Sequence, residues 1–325
     1  MGGSLLGRGI LARRLASGPG AILHAPERRT DPPLLAYRHG FHAGNHADVL
    51  KHLVLVQVLR YMATKDKPFT LVDTHAGAGG YALAGRQAQT KHEYEGGIQR
   101  LWDRDDLPPP LADYAGLVDR FNGGEGGMGS RRAALRQYPG SPGFAQMLLR
   151  PRDRLRLYEL HPTDYRNLEA FLGEHPDTQV LHADGFAALK GELPPPSRRG
   201  AVLIDPSYEL KSDYGRVVGA LREALSRLAD AVVLVWYPQL LTLESSQLPQ
   251  RLQAACNAQA RKGWLHVRLT VQRPDERGFG LVGSGMFVAN PPHVLHDALA
   301  GTMQFLVDAL GQYDGASFLI ERREG

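Results

Sequence analysis

A doubly wound α/β domain is the fold class this sequence predicts, on three observations. Short apolar runs recur from residue 69 onward, helical stretches separate the early ones, and 325 residues suit one large domain carrying an insertion. The first element is a helix: Asn45 can cap it, Asp48 follows three residues later, and Val49, Leu50, Leu53, Val54, Val56 and Leu59 extend its apolar positions to about Met62. Strands follow at FTLVD (69–73), LRLYEL (155–160), VLHAD (180–184), AVLID (201–205), AVVLVWY (231–237), WLHVRLTV (264–271) and GMFVAN (285–290), with helical stretches such as 164–173 and 214–229 between the early ones. Strands separated by helices pair in parallel. The expected sheet therefore has seven strands, mostly parallel, with the last two as an antiparallel hairpin at one edge. Residues 74–154 between the first two strands far exceed a plain crossover, so 86–150 reads as a helical insertion subdomain within a domain spanning 35–325.

Composition narrows the function classes. Hydrophobic residues make up 43% and charged residues 22%, the balance of an ordinary soluble chain. Runs such as AVVLVWY fall far short of the roughly 20 residues a membrane-spanning helix needs, so no membrane partner is expected. The single cysteine, Cys256, excludes an internal disulfide and a zinc site of paired thiolates, and it suits a reducing compartment, the cytoplasm. The formal charge is +4, but Met1 to Leu34 contributes +3 of it, from five arginines against Glu27 and Asp31. Outside that segment the chain is nearly neutral, and the clusters Arg131, Arg132, Arg136 and Arg198, Arg199 are either phosphate contacts or solvated surface. Residues 1–34 have the Arg- and Ser-bearing, acid-poor composition of an organelle transit peptide, yet no periodic apolar stripe; they read as a disordered extension outside the fold.

The chemistry is written at the strand ends. The first strand runs into DTHAGAGGYA, which fits G-x-G-x-x-A with Gly77, Gly79 and Ala82, and brings Asp73 and His75 to the crevice. The second ends in Glu159, placed to grip the two hydroxyls of a ribose; the third supplies Asp184 and Gly185, where a carboxylate can accept from an adenine amino group. An acid at three successive strand ends suits S-adenosylmethionine, which carries a sulfonium and no phosphate; NAD is the alternative ligand. The fourth strand ends in Asp205-Pro206-Ser207-Tyr208, which resembles the (Asp/Asn/Ser)-Pro-Pro-(Tyr/Phe) signature of enzymes that methylate exocyclic amino groups of bases. The N6 lone pair of adenine is delocalised into the ring and attacks poorly. The Asp205 carboxylate and the Pro206 carbonyl can accept its two hydrogens and aim the lone pair at the methyl donor, while Tyr208 stacks on an unpaired or flipped-out base. Ser207 stands where the signature has a second proline, which loosens the corner and leaves the target base less defined.

From residue 35 on, the chain resembles the RlmJ family of bacterial 23S rRNA adenine-N6 methyltransferases. The likeness rests on AYRHGFHAGNHADVLKH, DKPFTLVDTHAGAGGY, YPGSP, ELHPTDY, ADGF, RRGAVLIDPSYE, VLVWYP and SGMFVANPP, spread over residues 35 to 292. The resemblance implies a Rossmann-like class I fold with S-adenosylmethionine as cofactor, and an insertion after the first strand. It implies that Lys51, His52, His75, Ser141, Glu159, Asp184 and Gly185 contact the cofactor, that Asp205 is catalytic, and that Tyr37, with Arg38 beside it, meets the 23S rRNA substrate. The substrate is then protein-free or early-assembly rRNA, and the enzyme is expected to act as a monomer. His42 and His46 have the i, i+4 spacing of a metal pair, but His42 precedes the helix cap and no third ligand is evident, so no metal is expected. Cytosine-N4 methylation, an NAD-dependent oxidoreductase and an RNA-binding protein without catalysis are the alternative readings.

Overall fold

The computed structural model describes residues 39–127, 132–275 and 280–325. A 3-10 turn, His39–Phe41, leads to helix α1 (His46–Ala63). The Asn45 side chain starts α1 by accepting from the Ala47 and Asp48 amides at 3.0 and 2.9 Å. Val49, Leu50, Leu53, Val54, Leu55, Val56, Val58 and Leu59 are all fully buried, so α1 is a core helix rather than a surface one.

Strand β1 (Thr70–Asp73) is followed by β2 (Gly80–Ala82), α2 (Arg86–Lys91), α3 (Gln99–Trp102), α4 (Pro109–Phe121), β3 (Gln137–Pro139) and α5 (Ser141–Leu148). An antiparallel pairing of β2 with β3 draws the two ends of this long excursion together. Its apolar residues Ile98, Leu101, Leu111, Tyr114, Leu117, Val118, Tyr138 and Phe144 enter the same buried cluster as α1. The doubly wound part then runs β4 (Arg154–Tyr158), α6 (Pro162–Leu172), β5 (Thr178–Leu181), α7 (Gly185–Glu192), β6 (Gly200–Ile204), α8 (Lys211–Arg227), β7 (Val232–Gln239), α9 (Leu243–Gln259), β8 (Trp264–Thr270), β9 (Gly283–Ala289), α10 (Leu295–Leu310) and β10 (Ser317–Arg323).

The main sheet has the order β10-β8-β9-β7-β6-β1-β4-β5. Strands β5, β4, β1, β6 and β7 are mutually parallel, while β9, β8 and β10 add antiparallel pairings. The period of two sorts the strand residues: Leu71, Ala201, Leu203 and Leu234 face the cluster of α1, α5, α6 and α10, and Val72, Val202, Ile204, Val233 and Val235 face that of α7, α8 and α9. Chain order reverses at β1, which has β4 on one side and β6 on the other. That switch point opens the crevice at the carboxyl ends of the strands.

Two expectations change. The sheet has eight strands, because SFLIERR forms β10; only Phe318, Leu319 and Ile320 are half-buried and the rest is exposed, so this edge strand has no apolar alternation to announce it. The β8–β9 hairpin is not at the edge either: β9 lies between β7 and β8, and β10 covers β8. Two arginines of the expected clusters serve the fold. Arg199 donates to the Met62 carbonyl in the last turn of α1 and to the Lys67 carbonyl beyond it, both at 2.6 Å, and Arg132 donates to the Leu101 and Trp102 carbonyls. Arg131, Tyr37, Arg38 and the segment 1–34 lie outside the described residues.

Candidate active site

Four acidic residues stand at the carboxyl ends of four neighbouring strands. In sheet order they are Asp205 after β6, Asp73 ending β1, Glu159 after β4 and Asp184 beyond β5. Neighbouring strands are about 4.8 Å apart, so the row spans about 14 Å, the reach of an extended nucleoside with a substituent.

Backbone amides fix the middle of the row. Glu159 accepts from the Gly77 amide at 2.8 Å with one oxygen and from the His161 amide at 2.6 Å with the other, leaving outward lone pairs for a diol. Burial raises the Glu159 carboxyl above its ordinary range, against the pull of those two amides. Gly77 has φ +62°, and a Cβ there would lie 2.3 Å from the Tyr81 hydroxyl, so any other residue would be strained and would displace Tyr81. Ala82, the third position of the glycine motif, lies in β2 and not in a helix. The glycine turn after β1 therefore leads into β2 and not directly into a helix whose amino terminus could receive a pyrophosphate, which removes the main physical support for NAD.

Asp73 is fully buried and accepts from the Ser141 hydroxyl at 2.6 Å and the His75 amide at 3.2 Å. Burial pushes its carboxyl up to about 7, although both hydrogen bonds oppose the shift. Ser141, expected at the cofactor, thus has its proton on Asp73. His75 sits edge-on to Phe186, 4.6 Å between ring centroids, and burial pushes its imidazole down to about 3, so it is neutral near pH 7. Asp184 caps α7 through the Phe186 amide at 3.0 Å, and its other oxygen accepts from Arg216 at 2.5 Å. The Arg216 guanidinium lies 4.3 Å from the Phe186 ring centroid. Gly185 has a backbone reason of its own: a Cβ there would meet the Thr74 carbonyl oxygen at 2.1 Å.

The row ends in a buried ion cluster. Lys51 Nζ lies 2.7 Å from Asp205 Oδ2 and 2.8 Å from Asp48 Oδ1, with Lys51 and Asp48 side chains 5% and 2% exposed. Burial works against the ammonium, yet the two carboxylates outweigh it and hold Lys51 above its ordinary value. The structure joins Lys51 to the catalytic candidate, a pairing the motif alone does not disclose. Tyr208 has φ +56°, the left-handed region, which costs a residue with a Cβ about 1–2 kcal/mol. Its hydroxyl donates to the Trp236 carbonyl at 2.6 Å and its ring packs 4.8 Å from Tyr214, centroid to centroid. A strained aromatic held this firmly marks a built corner. The ring is wedged between Tyr214 and Trp236 and is 6% exposed, where the sequence suggests an open stacking face.

The remaining candidates are histidines within α1 and just before it. His52 is fully buried, with Nδ1 2.8 Å from the Tyr138 hydroxyl and its ring 4.8 Å from Phe144. His42 pairs with Glu93 at 2.9 Å, and burial pushes His46 down to about 4. Arg216, Asp48 and Trp236 are site residues that the sequence reading misses. Asp48 had a signal, being three residues from Lys51 on one helix, and Trp236 stands within the VLVWYP stretch; Arg216 had none. A cleft of about 510 Å³ lined by Tyr61, Lys262, Trp264, His293 and Arg323 lies at the opposite end of the sheet and holds none of the strand-end acids.

A reversed-order parallel sheet with an acid at each of four consecutive strand ends, and an Asp-Pro-x-Tyr corner on one of them, defines the Rossmann-like methyltransferase class. Comparison with known proteins narrows this. Residues 66–320 match the family model described as ribosomal RNA large subunit methyltransferase D, RlmJ. Two relatives named ribosomal RNA large subunit methyltransferase J are similar along most of their length. The one from Escherichia coli K12 is 43% identical over 84% of this chain and 93% of its own, and that from Haemophilus influenzae is 40% identical over 89% and 98%. A crystal structure of a Legionella pneumophila protein, 33% identical, superposes with a TM-score of 0.76 over 86% of this chain and 98% of its own. The chain belongs to the RlmJ family of ribosomal RNA large subunit methyltransferases.

Proposed function

We propose that this protein methylates the exocyclic N6 amino group of an adenine in 23S rRNA, using S-adenosylmethionine, on a base turned out of protein-free or early-assembly rRNA. The observation that carries the reading is the Asp205-Pro206-Ser207-Tyr208 corner, rigidly held beside a row of strand-end carboxylates. When bound, S-adenosylmethionine supplies a methyl group activated by a sulfonium. Glu159 would take the ribose hydroxyls and Asp184 with Gly185 the adenine edge, with His75 and Phe186 flanking the ring; Ser141, Lys51 and His52 complete the proposed set from α5 and α1. A cationic sulfonium suits this set: four acidic side chains line the row, and the cations described beside it, Lys51 and Arg216, are each paired with acids.

Asp205 accepts one hydrogen of the target amine and the Pro206 carbonyl the other, so the nitrogen lone pair points along the row toward the methyl donor. Lys51 fixes the Asp205 carboxylate by its Oδ2 and leaves Oδ1 for the amine. After transfer the surplus amine proton passes to Asp205. Tyr37 and Arg38 are proposed to meet the rRNA. The protein is proposed to act as a cytoplasmic monomer; among the described residues no helix is long and apolar enough to cross a membrane.

The test is methyl transfer to protein-free 23S rRNA followed by nucleoside analysis. N6-methyladenosine is the expected product, and Asp205→Ala should lower turnover on the order of 10² to 10³. N4-methylcytidine would reassign the target base, and wild-type turnover in the variant would remove Asp205 from the chemistry.

A further inference from the structure

Exposed large apolar side chains are not scattered evenly. Among the described residues they are Leu160, Phe171, Leu210, Leu241, Leu243 and Val294, and four of the six follow the carboxyl ends of β4, β6 and β7, where the candidate active site lies. Leu241 and Leu243 are the most open, at 64% and 67%. A single exposed leucine needs no explanation; two flanking Thr242 at the start of α9, with Leu210 just before α8, form a patch.

The loop is rigid. The Leu240 amide donates to Ser245 Oγ at 3.1 Å, Ser245 Oγ donates to the Pro238 carbonyl at 2.8 Å, and the Ser245 amide donates to Thr242 Oγ1 at 3.3 Å. Lys211 pairs with Glu244 at 3.0 Å, fastening this loop to the one that carries Asp205 to Tyr208. Tyr208 is in turn tied to Trp236 of β7. The three leucines therefore stand on segments joined to the target corner, and Leu210 is only two residues from Tyr208, within about 7 Å along the chain.

We propose that Leu241 and Leu243, with Leu210, form an apolar wedge for the rRNA strand beside the target adenosine. This rests on the methylation reading above. A base that reaches Asp205 must leave its stack, which exposes the apolar faces of its neighbours at the mouth of the pocket. Leucine side chains held at that mouth cover those faces and keep the gap from closing. The patch fits nucleobases rather than phosphates, because its side chains are apolar and Lys211 beside it is matched by Glu244. A second protein chain seated here would lie against the mouth through which the base has to enter, so the strand is the occupant that accords with the chemistry.

The experiment compares full-length wild type with Leu241→Ser/Leu243→Ser and Leu241→Met/Leu243→Met on protein-free 23S rRNA. Thermal midpoint and S-adenosylhomocysteine affinity should match wild type in both. The serine pair should raise the rRNA KM and Kd by about tenfold for each leucine removed, with kcat nearly kept. The slope of log affinity against log salt should stay unchanged, since no phosphate contact is lost, and the methionine pair should restore wild-type values. Equal rRNA KM and Kd in wild type and the serine pair would overturn the wedge. So would a wild-type dimer that the serine pair dissociates, which would make the patch a seat for a second copy. Inactivity of the wild type itself would strike the methylation reading separately, and direct rRNA binding by the serine pair would still decide the wedge.

Discussion

Replacing Lys51 by methionine removes one charge from a buried cluster and keeps most of the side-chain volume, so the consequence is electrostatic rather than a cavity. Nζ lies 2.7 Å from Asp205 and 2.8 Å from Asp48, with those carboxylates 13% and 2% exposed. Asp48 also accepts from the Gly44 amide at 2.9 Å, so it cannot turn away toward water without breaking the lead-in to α1. Removing one partner of a buried pair costs about 3–5 kcal/mol, because a desolvated charge is left uncompensated. Most of that should come from Asp48, since Asp205 retains some access to water. Against the roughly 5–15 kcal/mol that holds a typical domain together, the loss is large, and urea unfolding at pH 8 would read it directly. The sign of the pH dependence is the sharper test. A buried carboxylate that has lost its counter-charge binds a proton more readily folded than unfolded, so the deficit of Lys51→Met should shrink as the pH falls from 8 to 5. Adding Asp48→Asn to Lys51→Met should recover a large part of the loss. A deficit below about 1 kcal/mol, or one equal at pH 5 and pH 8, would refute the view that Lys51 is the counter-charge of this cluster.

Three further outcomes follow from the site. Asp73 has its folded carboxyl raised to about 7 by burial. The folded chain then binds the extra proton between about pH 4 and 7, so this group lowers stability as the pH rises through that window and adds no further slope above it; paired urea titrations should show a flatter profile for Asp73→Asn, and parallel profiles would count against the assignment. Asp184→Ala removes the cap of α7 and the proposed adenine acceptor together, costing about 1 kcal/mol and cofactor affinity, whereas Asp184→Asn should keep the cap and isolate the affinity loss in calorimetry. Ser207→Pro should stabilise by roughly 0.4 to 1 kcal/mol and keep turnover, since the Ser207 hydroxyl makes only a 3.5 Å contact with the Glu209 amide; loss of turnover at unchanged cofactor affinity would show a corner rebuilt around serine.

The parts legible in the sequence are those set by short-range pattern. Seven strands and the helix from His46 were readable because a period of two, a capping asparagine and a run of buried apolar residues are properties of a few adjacent positions. The acids at strand ends were readable for the same reason: once FTLVD, LRLYEL and AVLIDPSY are strands, Asp73, Glu159 and Asp205 stand at their carboxyl ends. What the acids touch was not. Lys51 and Asp205 are 154 positions apart, Ser141 and Asp73 are 68 apart, and Arg216 reaches Asp184 from the following helix. These partnerships depend on β6, β1, β4 and β5 lying side by side with α1 across one face, which no local window specifies. The same reason explains β10, whose place comes from the open backbone edge of β8 rather than from its own half-exposed residues, and the arginines Arg132 and Arg199, whose donors were claimed by carbonyls that only folding brought near. A strand's end is a local property of the chain, but the choice of a charge's partner is made by packing, because desolvation penalises every buried donor or carboxylate that the completed fold does not answer.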